Sequence, residues 1–417
     1  MNRFLAIFLQ RFVQHGSLEV ITSSGTSRVF GDGKGQHVAI RFSDRAAQTR
    51  LLLNPSLALG ELFMDGRLVI VRGAIYDLLQ IATRNLASQS RTQSQKLWSR
   101  FCKVLRPLHQ HNSQRRAKRN VAHHYDLDAR LYDLLLDSDK QYSCAYFEHA
   151  DQTLEDAQRA KKRHIAAKLL IEPGDRVLDI GSGWGGLALY LAENCEADVT
   201  GVTLSDEQLK IATQRAFEKD LVNTANFKLQ DYRTVEGQFD RIVSVGMFEH
   251  VGVGYYDTFF TKVANLLADD GVMLLHFIGG YGGPGVTNPW MAKYIFPGGY
   301  APALSEVLPA IERAGLIVTD VEILRLHYAE TLKAWRERFM SQRDKAKEIY
   351  DERFCRMWEF YLAGCEAGFR HGDLVIFQIQ MAKQHGAVPV TRDYIAEREA
   401  TLRTRETQMP LLRMAAE

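Results

Sequence analysis

Val177-Leu178-Asp179-Ile180-Gly181-Ser182-Gly183-Trp184-Gly185-Gly186 decides the fold of this chain. An apolar run leads straight into a glycine-dense turn, and a helix-forming segment, Leu187 to Glu193, follows it. Glycine has no Cβ, so the backbone can turn sharply there and approach a ligand closely. A helix that starts at such a turn presents N–H groups to an anionic or polar group. The stretch therefore predicts a nucleotide-type cofactor site near the middle of the chain. Its spacing narrows the choice. A dinucleotide fold prefers G-x-G-x-x-G or G-x-G-x-x-A after its first strand. Here the order is G-x-G-x-G-G, with Asp179 two residues ahead of the first glycine.

Reading outward, the segments alternate. The pattern predicts a helix at 152–170, strand 176–180, helix 186–194, strand 198–203, helix 205–219, strands 225–229 and 239–245, helix 255–267 and strand 270–278. Strands alternating with helices imply an α/β fold with a doubly wound, mostly parallel sheet. Further helices are expected at 303–314, 329–341 and 344–369, with strands at 316–326 and 373–381. Ahead of this lies an amphipathic helix within residues 1–16, a small α+β unit at 17–72 and a helix at 73–90. We divide the chain into an N-terminal domain (1–110), a basic linker (111–120), a catalytic domain (121–395) and a charged, poorly anchored tail (396–417).

At 417 residues the chain exceeds one ordinary core, so more than one domain is expected. Apolar content of 46% and charged content of 24% are those of a globular protein. The five cysteines are scattered and never in C-x-x-C spacing, which suggests neither a disulfide scaffold nor a metal site, and a reducing cytoplasm fits best. The apolar N-terminus is interrupted by Arg11 and is too short to span a membrane. Net charge is only +2, but residues 91–120 hold nine Lys and Arg and no Asp or Glu.

In an open α/β sheet, ligands bind outside the carboxyl ends of the strands. Asp179, Gly181, Ser182 and Gly183 sit at the first such end. The D-x-G-x-G pattern resembles the first motif of class I S-adenosylmethionine (SAM) methyltransferases. Many SAM enzymes end the second strand with an acid that holds the ribose hydroxyls. This chain instead has Thr203-Leu204-Ser205, with Gln208 one turn into the next helix, and hydroxyl and amide groups could do the same work. Asp231 after the third strand could accept from the adenine amino group, and Tyr232 could cover the ring, with Arg233 beside them. The alternative for each is ordinary: a helix cap, a surface acid, a core aromatic.

From about residue 121 to 380 the chain resembles the cyclopropane-fatty-acyl-phospholipid synthases and the related mycolic acid cyclopropane synthases. The resemblance rests on His124-Tyr125-Asp126, the run Gln141 to Phe147 (QYSCAYF), the glycine turn, Val202 to Ser205, Ser244 to Gly252 (SVGMFEHVG), Lys293 to Tyr300 (KYIFPGGY), and the helical motifs around Tyr328 and Phe360 to Cys365. It implies methylene transfer from SAM to the cis double bond of an acyl chain in a membrane phospholipid. It also implies SAM contacts at Tyr142 and Ser143, and a bicarbonate ion in the active site. The positions matching the bicarbonate ligands are Cys144 and Ile278 through backbone groups, and Glu249, His276 and Tyr328 through side chains. Cys365 matches a cysteine marked as active-site in family patterns. The chemistry gives it no nucleophilic task, and a buried helix cysteine is the alternative.

An alkene is a feeble nucleophile, so activation falls to the sulfonium. Attack on the methyl leaves a carbocation on the acyl chain, and one proton must depart as the ring closes. That requires a base in a site without water, which would trap the cation. Glu249 beside an anion is sensible when the anion donates a hydrogen bond, as bicarbonate can. Aromatic faces such as Tyr146, Phe147 and Tyr328 are candidates to stabilise the cation. A related alkene C-methyltransferase giving methyl- or methylene-branched chains is the nearest alternative. A non-catalytic lipid-binding protein on the same scaffold is a second.

The acyl double bond lies deep in a bilayer, so the chain is expected to dock peripherally on the inner face of the membrane. Residues 91–119 suit anionic headgroups, with Leu97, Trp98, Phe101 and Leu105 for shallow insertion. A basic helix packed on the protein itself is the alternative. No fold motif supports nucleic acid as the partner of this basic run. The resemblance also admits a homodimer.

Overall fold

The computed structural model describes residues 1–88 and 128–416, with side chains to 408. The basic stretch 91–119, the 111–120 linker and His124-Tyr125-Asp126 lie outside the described residues. The N-terminal unit opens with α1 (Arg3–Phe12), capped by the Asn2 side chain. Strands β1 (Ser17–Ile21), β2 (Ser27–Phe30), β3 (His37–Phe42) and β4 (Leu68–Arg72) form a sheet of order β2-β1-β3-β4. Its inner pair, β1 and β3, is parallel, and the outer pairs are antiparallel. Helices α2 (Arg45–Leu53) and α3 (Pro55–Met64) link β3 to β4, and α4 (Ile75–Ser88) follows. Proline starts α3 because the first helical residue needs neither a bonded N–H nor a free φ.

The larger unit is built on seven strands: β5 (Arg176–Ile180), β6 (Asp198–Thr203), β7 (Ala225–Leu229), β8 (Phe239–Val245), β9 (Leu267–Gly280), β10 (Ile317–Leu324) and β11 (Leu374–Ala382). Their order is β10-β11-β9-β8-β5-β6-β7. The five from β5 to β9 run parallel, and β11 and β10 add antiparallel neighbours. Val177 to Ile180 and Val272 to Phe277 are buried throughout, as strands covered on both faces must be. Strand order reverses beside β5, which has β6 on one side and β8 on the other. A crevice opens at such a reversal.

Helices α5 (Leu154–Leu169), α6 (Gly186–Cys195), α7 (Asp206–Glu218), α8 (Tyr256–Leu266), α9 (Pro289–Tyr294) and α10 (Leu304–Arg313) surround the sheet. After β10 come α11 (His327–Ser341), α12 (Arg343–Ile349) and α13 (Glu352–His371). The single helix expected at 344–369 is thus two. Asp351 begins the second by accepting from the Phe354 amide at 2.7 Å. The N-terminal unit docks on α9 and α13. Buried Glu61 of α3 accepts from Lys293 Nζ (2.7 Å) and the Tyr294 hydroxyl (2.8 Å), and Trp290 packs on Phe360.

The charged tail is a correction. Residues Asp393–Ala416 form one helix, α14, laid along α5. Helix α5 buries Arg163 and His164, and a free tail would take from each of them one of its carboxylate partners. Glu406 of α14 pairs with Arg163 at 2.6 Å and accepts from the Tyr190 hydroxyl, while Glu399 meets His164 Nδ1 at 2.6 Å. The contact is made by charge pairs more than by an apolar stripe, so hydropathy could not reveal it.

Candidate active site

The glycine turn closes on β6. The Gly181 and Ser182 amides both donate to the Val202 carbonyl, at 2.9 and 3.0 Å. Gly181 adopts φ +86°, and a Cβ there would lie 2.8 Å from Cβ of Met247. Gly183 adopts φ +56°, and its missing Cβ faces open space. The first glycine therefore lets two walls meet, and the second leaves room for a ligand.

A single cavity at the strand ends gathers most of the expected cofactor residues. Tyr142, Ser143, Asp179, Gly181, Ser182, Gly183, Thr203, Leu204, Gln208, Asp231, Tyr232 and Arg233 all line it. Ser205 does not; its hydroxyl accepts from the Gln208 amide and caps α7. Thr203 Oγ1 bonds Gln208 Oε1 at 2.8 Å, so the two groups proposed to replace the usual acid act as one unit. The Asp231 carboxylate is paired with Arg233 at 2.6 and 2.8 Å, leaving it further lone pairs for a ligand. Tyr232 meets Phe259 edge-on, and burial pushes its hydroxyl up to about 12. The opposite wall is Gly246, Met247, His250, Pro297 and Gly298. Two wall groups stand out. Asp179 Oδ2 and Ser182 Oγ are buried without a hydrogen-bond partner among the described residues. Burial raises the Asp179 carboxyl to about 7.

Glu249 sits in the turn after β8, and its own carbonyl accepts from the Tyr300 amide at 2.9 Å. One carboxylate oxygen accepts from the Ile278 amide at 2.6 Å; the other is buried and unpartnered. The Ile278 amide is thus turned to Glu249 itself. Burial lifts the Glu249 carboxyl to about 7, against which that amide works. His276 lies two residues earlier on β9, hence on the same face as Ile278. Across the sheet it pairs with Gln378 of β11, whose amide nitrogen is 3.1 Å from Nδ1. With that nitrogen donating, a neutral ring carries its proton on Nε2, which is buried and unpartnered. Burial lowers His276 to about 3, so the ring stays neutral.

Cys144 is held close to α11. The Ala145 amide donates to Thr331 Oγ1 at 3.0 Å, and Thr331 lies one turn from Tyr328. Burial raises the Cys144 thiol well above its usual range, which removes it as a thiolate nucleophile. Tyr328 packs on Phe369 and Trp335 in the same apolar cluster as Cys144 and Ile278. Cys365 of α13 is partly exposed by area, yet enough protein surrounds its sulfur to push the thiol up to about 12. It lies within helix α13, and its raised thiol is not the thiolate a nucleophile needs. Tyr146 corrects an expectation. Its ring is stacked on His164 (4.2 Å) and His327 (5.1 Å), so it serves packing before it can serve a cation.

Sequence reasoning missed Lys161, Gln141, Gln158 and Gln378. Lys161 stands in the run Lys161-Lys162-Arg163-His164, which reads as a solvated helix face until the 139–143 loop meets Lys161 and Lys162 and α14 meets Arg163 and His164.

Comparison with known proteins gives the chain its family. The family model for mycolic acid cyclopropane synthetase matches residues 112–379. The chain belongs to that family. A second family model, a domain of unknown function, matches residues 5–94. The cyclopropane-fatty-acyl-phospholipid synthase of Escherichia coli (strain K12) is 40% identical over 338 residues, 80% of this chain and 85% of that one. Tuberculostearic acid methyltransferase UfaA1 of Mycobacterium tuberculosis is 34% identical over 391 residues, 90% of each. The crystal structure of mycolic acid cyclopropane synthase CmaA1 complexed with S-adenosylhomocysteine (SAH) and CTAB superposes with a TM-score of 0.60 at 34% identity, covering 63% of this chain and 97% of that one. This member of the mycolic acid cyclopropane synthetase family is a SAM-dependent enzyme with the methyltransferase fold, preceded by a small domain with its own sheet. Among the described residues no helix is long and apolar enough to cross a membrane.

Proposed function

We propose that this enzyme adds a methylene from SAM to the cis double bond of unsaturated acyl chains in membrane phospholipids, forming a cyclopropane ring. The observation that carries the reading is the two orphaned buried groups, Glu249 Oε2 and His276 Nε2, which adjoin the cavity-lining Val245, Met247 and His250 in the chain or across the sheet. An acceptor and a donor left bare in such a place are costly unless a small polar species meets both. Bicarbonate fits them, having an O–H for Glu249 and oxygens for His276 and Tyr328. When bound, SAM supplies an electrophilic methyl and bicarbonate a small base.

The chain's own residues do the rest. Glu249, fixed by the Ile278 amide, orients an anion through a donated hydrogen bond. Neutral His276 offers Nε2–H without adding a charge that would compete with a developing cation. Tyr142, Tyr328, Trp335 and Phe369 pack as one aromatic cluster, and apolar surroundings of that kind keep out water, the species that would turn a cation into an alcohol. Peripheral docking through the basic residues 91–119 is part of the proposal. Reversing Arg115, Arg116, Lys118 and Arg119 is expected to weaken binding to anionic vesicles.

The test is incubation with SAM and vesicles of a cis-unsaturated phospholipid. Acyl chains gain the mass of one CH₂ and show cyclopropyl proton signals. A mass gain with olefinic or methyl-branch signals instead favours the second reading, an alkene C-methyltransferase, to which the resemblance with UfaA1 gives weight. No mass gain would leave a lipid-binding protein.

A further inference from the structure

Lys161 is almost fully buried, yet it lines the cofactor cavity. Its ammonium donates to Gln141 Oε1 at 2.6 Å and to Ser143 Oγ at 2.8 Å. One turn away on α5, Gln158 Nε2 donates to the Ser143 carbonyl at 2.9 Å and contacts the Gln141 carbonyl at 3.3 Å. One face of a helix therefore grips the loop 141–143 by side chain and by backbone.

The donor inventory then becomes directional. A lysine ammonium has three N–H groups and accepts nothing. Two are spent on Gln141 and Ser143, and because Ser143 Oγ accepts from lysine, its own proton must go to another acceptor. Both remaining donors belong to residues that line the cavity. Asp179, which lines the same cavity and feels the Lys161 charge, presents an unpartnered buried oxygen. The other ionisable groups around the ammonium are Asp137, Lys162 and Asp139, with the Cys144 thiol. Of these, Asp139 is committed to Lys162 and Arg215. The cavity is thus lined by a cation, a hydroxyl donor and a carboxylate with a bare oxygen. The methionine end of SAM carries an α-carboxylate and an α-ammonium, the complementary pair.

We propose that Lys161 is the cofactor-selecting cation of this enzyme: with Ser143 it binds the α-carboxylate of SAM and SAH, while Asp179 takes the α-ammonium. The inference rests on the SAM reading and not on the lipid product. A lysine that only braces the loop would weaken every adenosine ligand alike. One that binds the carboxylate discriminates among them.

The experiment is calorimetric titration of the full chain with SAH and with methylthioadenosine, which has the same nucleoside and thioether but no amino-acid end. Lys161→Met is expected to lose about tenfold or more in SAH affinity while its methylthioadenosine affinity stays within about twofold. Equal losses for both ligands, or no loss for SAH, overturn the proposal. Lys161→Gln, which keeps polarity without charge, carries the same comparison if the methionine variant does not fold. Wild-type protein supplies an independent arm: SAH α-carboxamide must bind about tenfold or more weakly than SAH, and near-equal binding overturns the proposal. Failure of wild-type protein to bind SAH at all would instead sink the cofactor reading.

Discussion

The site has two halves, and they are built differently. On the β5-β6-β7 side, backbone turns and helix ends shape a cavity whose polar groups largely hold one another: Thr203 with Gln208, Asp231 with Arg233, Lys161 with Gln141 and Ser143. On the β8-β9-β11 side, Glu249 and His276 each keep one buried polar atom bare amid aromatic and aliphatic neighbours. The first half is a receptor whose polar groups are mostly paired, with Asp179 Oδ2 and Ser182 Oγ left bare toward the cofactor cavity. The second leaves its bare acceptor and donor among apolar neighbours, where the desolvation is unfavourable until something small and polar arrives. A binding function asks for the first arrangement, and chemistry on an apolar double bond asks for the second.

Substituting Glu249 tests the contrast most strongly. Glu249→Gln should lower product formation by about 10²–10⁴-fold and leave SAH affinity within about twofold, read by vesicle assay and calorimetry. A large loss of SAH binding would mean that the halves are one. The acid also carries a pH signature. Its carboxyl is raised from 4.5 to about 7 in the folded chain, so activity that needs the ionised form falls as pH drops through 7. The unfolded chain ionises first as pH rises from about 4.5, so the parent loses stability up to about 7 relative to the glutamine variant. Above that the variant should be more stable by at most about 3 kcal/mol, measured by denaturant melts at several pH values.

Gly181→Val is the counterpart in the receptor half. The positive φ and the 2.8 Å approach of Met247 make any side chain a wedge. SAH affinity should drop about 10- to 100-fold or the fold should loosen by about 2–3 kcal/mol, and intact binding would refute the close-wall argument. Gln378→Leu sharpens the chemical half. Without the amide at Nδ1, His276 is free to move its proton to that nitrogen. Turnover should fall by about tenfold with SAH binding unchanged, and nitrogen NMR of the ring should show the tautomer shift. The smallest effect belongs to Ser205→Ala, which should cost about 1 kcal/mol of stability through the lost cap and leave SAH affinity alone.

The receptor half was largely legible in the chain because its signals are local. Strands 176–180, 198–203, 225–229 and 239–245 fall where the apolar runs end in turns. The glycine turn and Thr203 with Gln208 are short-range patterns. What stayed hidden depends on partners distant in sequence. Gln378 meets His276 across an antiparallel pair 102 residues apart, and no period in either strand points to the other. Helix α14 was misread because charge in a helix suggests solvent, yet Arg163 and His164 of α5 meet it with charges of their own. Lys161 went unread because its partners Gln141 and Ser143 lie 18 to 20 residues away. Ser205 erred the opposite way, since proximity to the motif suggested a ligand contact where the helix needed its cap.

The reversal of strand order beside β5 also has an evolutionary reading. Under the proposed function it puts most of the grip on the cofactor at the β5 to β7 ends and the handling of the acyl chain at the β8 and β9 side. Mutations at the β9–β11 pair can then alter the fate of an intermediate without weakening the cofactor's hold. A lineage with that partition can diversify its products at little risk, and relatives of this chain do include both a cyclopropane synthase and a tuberculostearic acid methyltransferase.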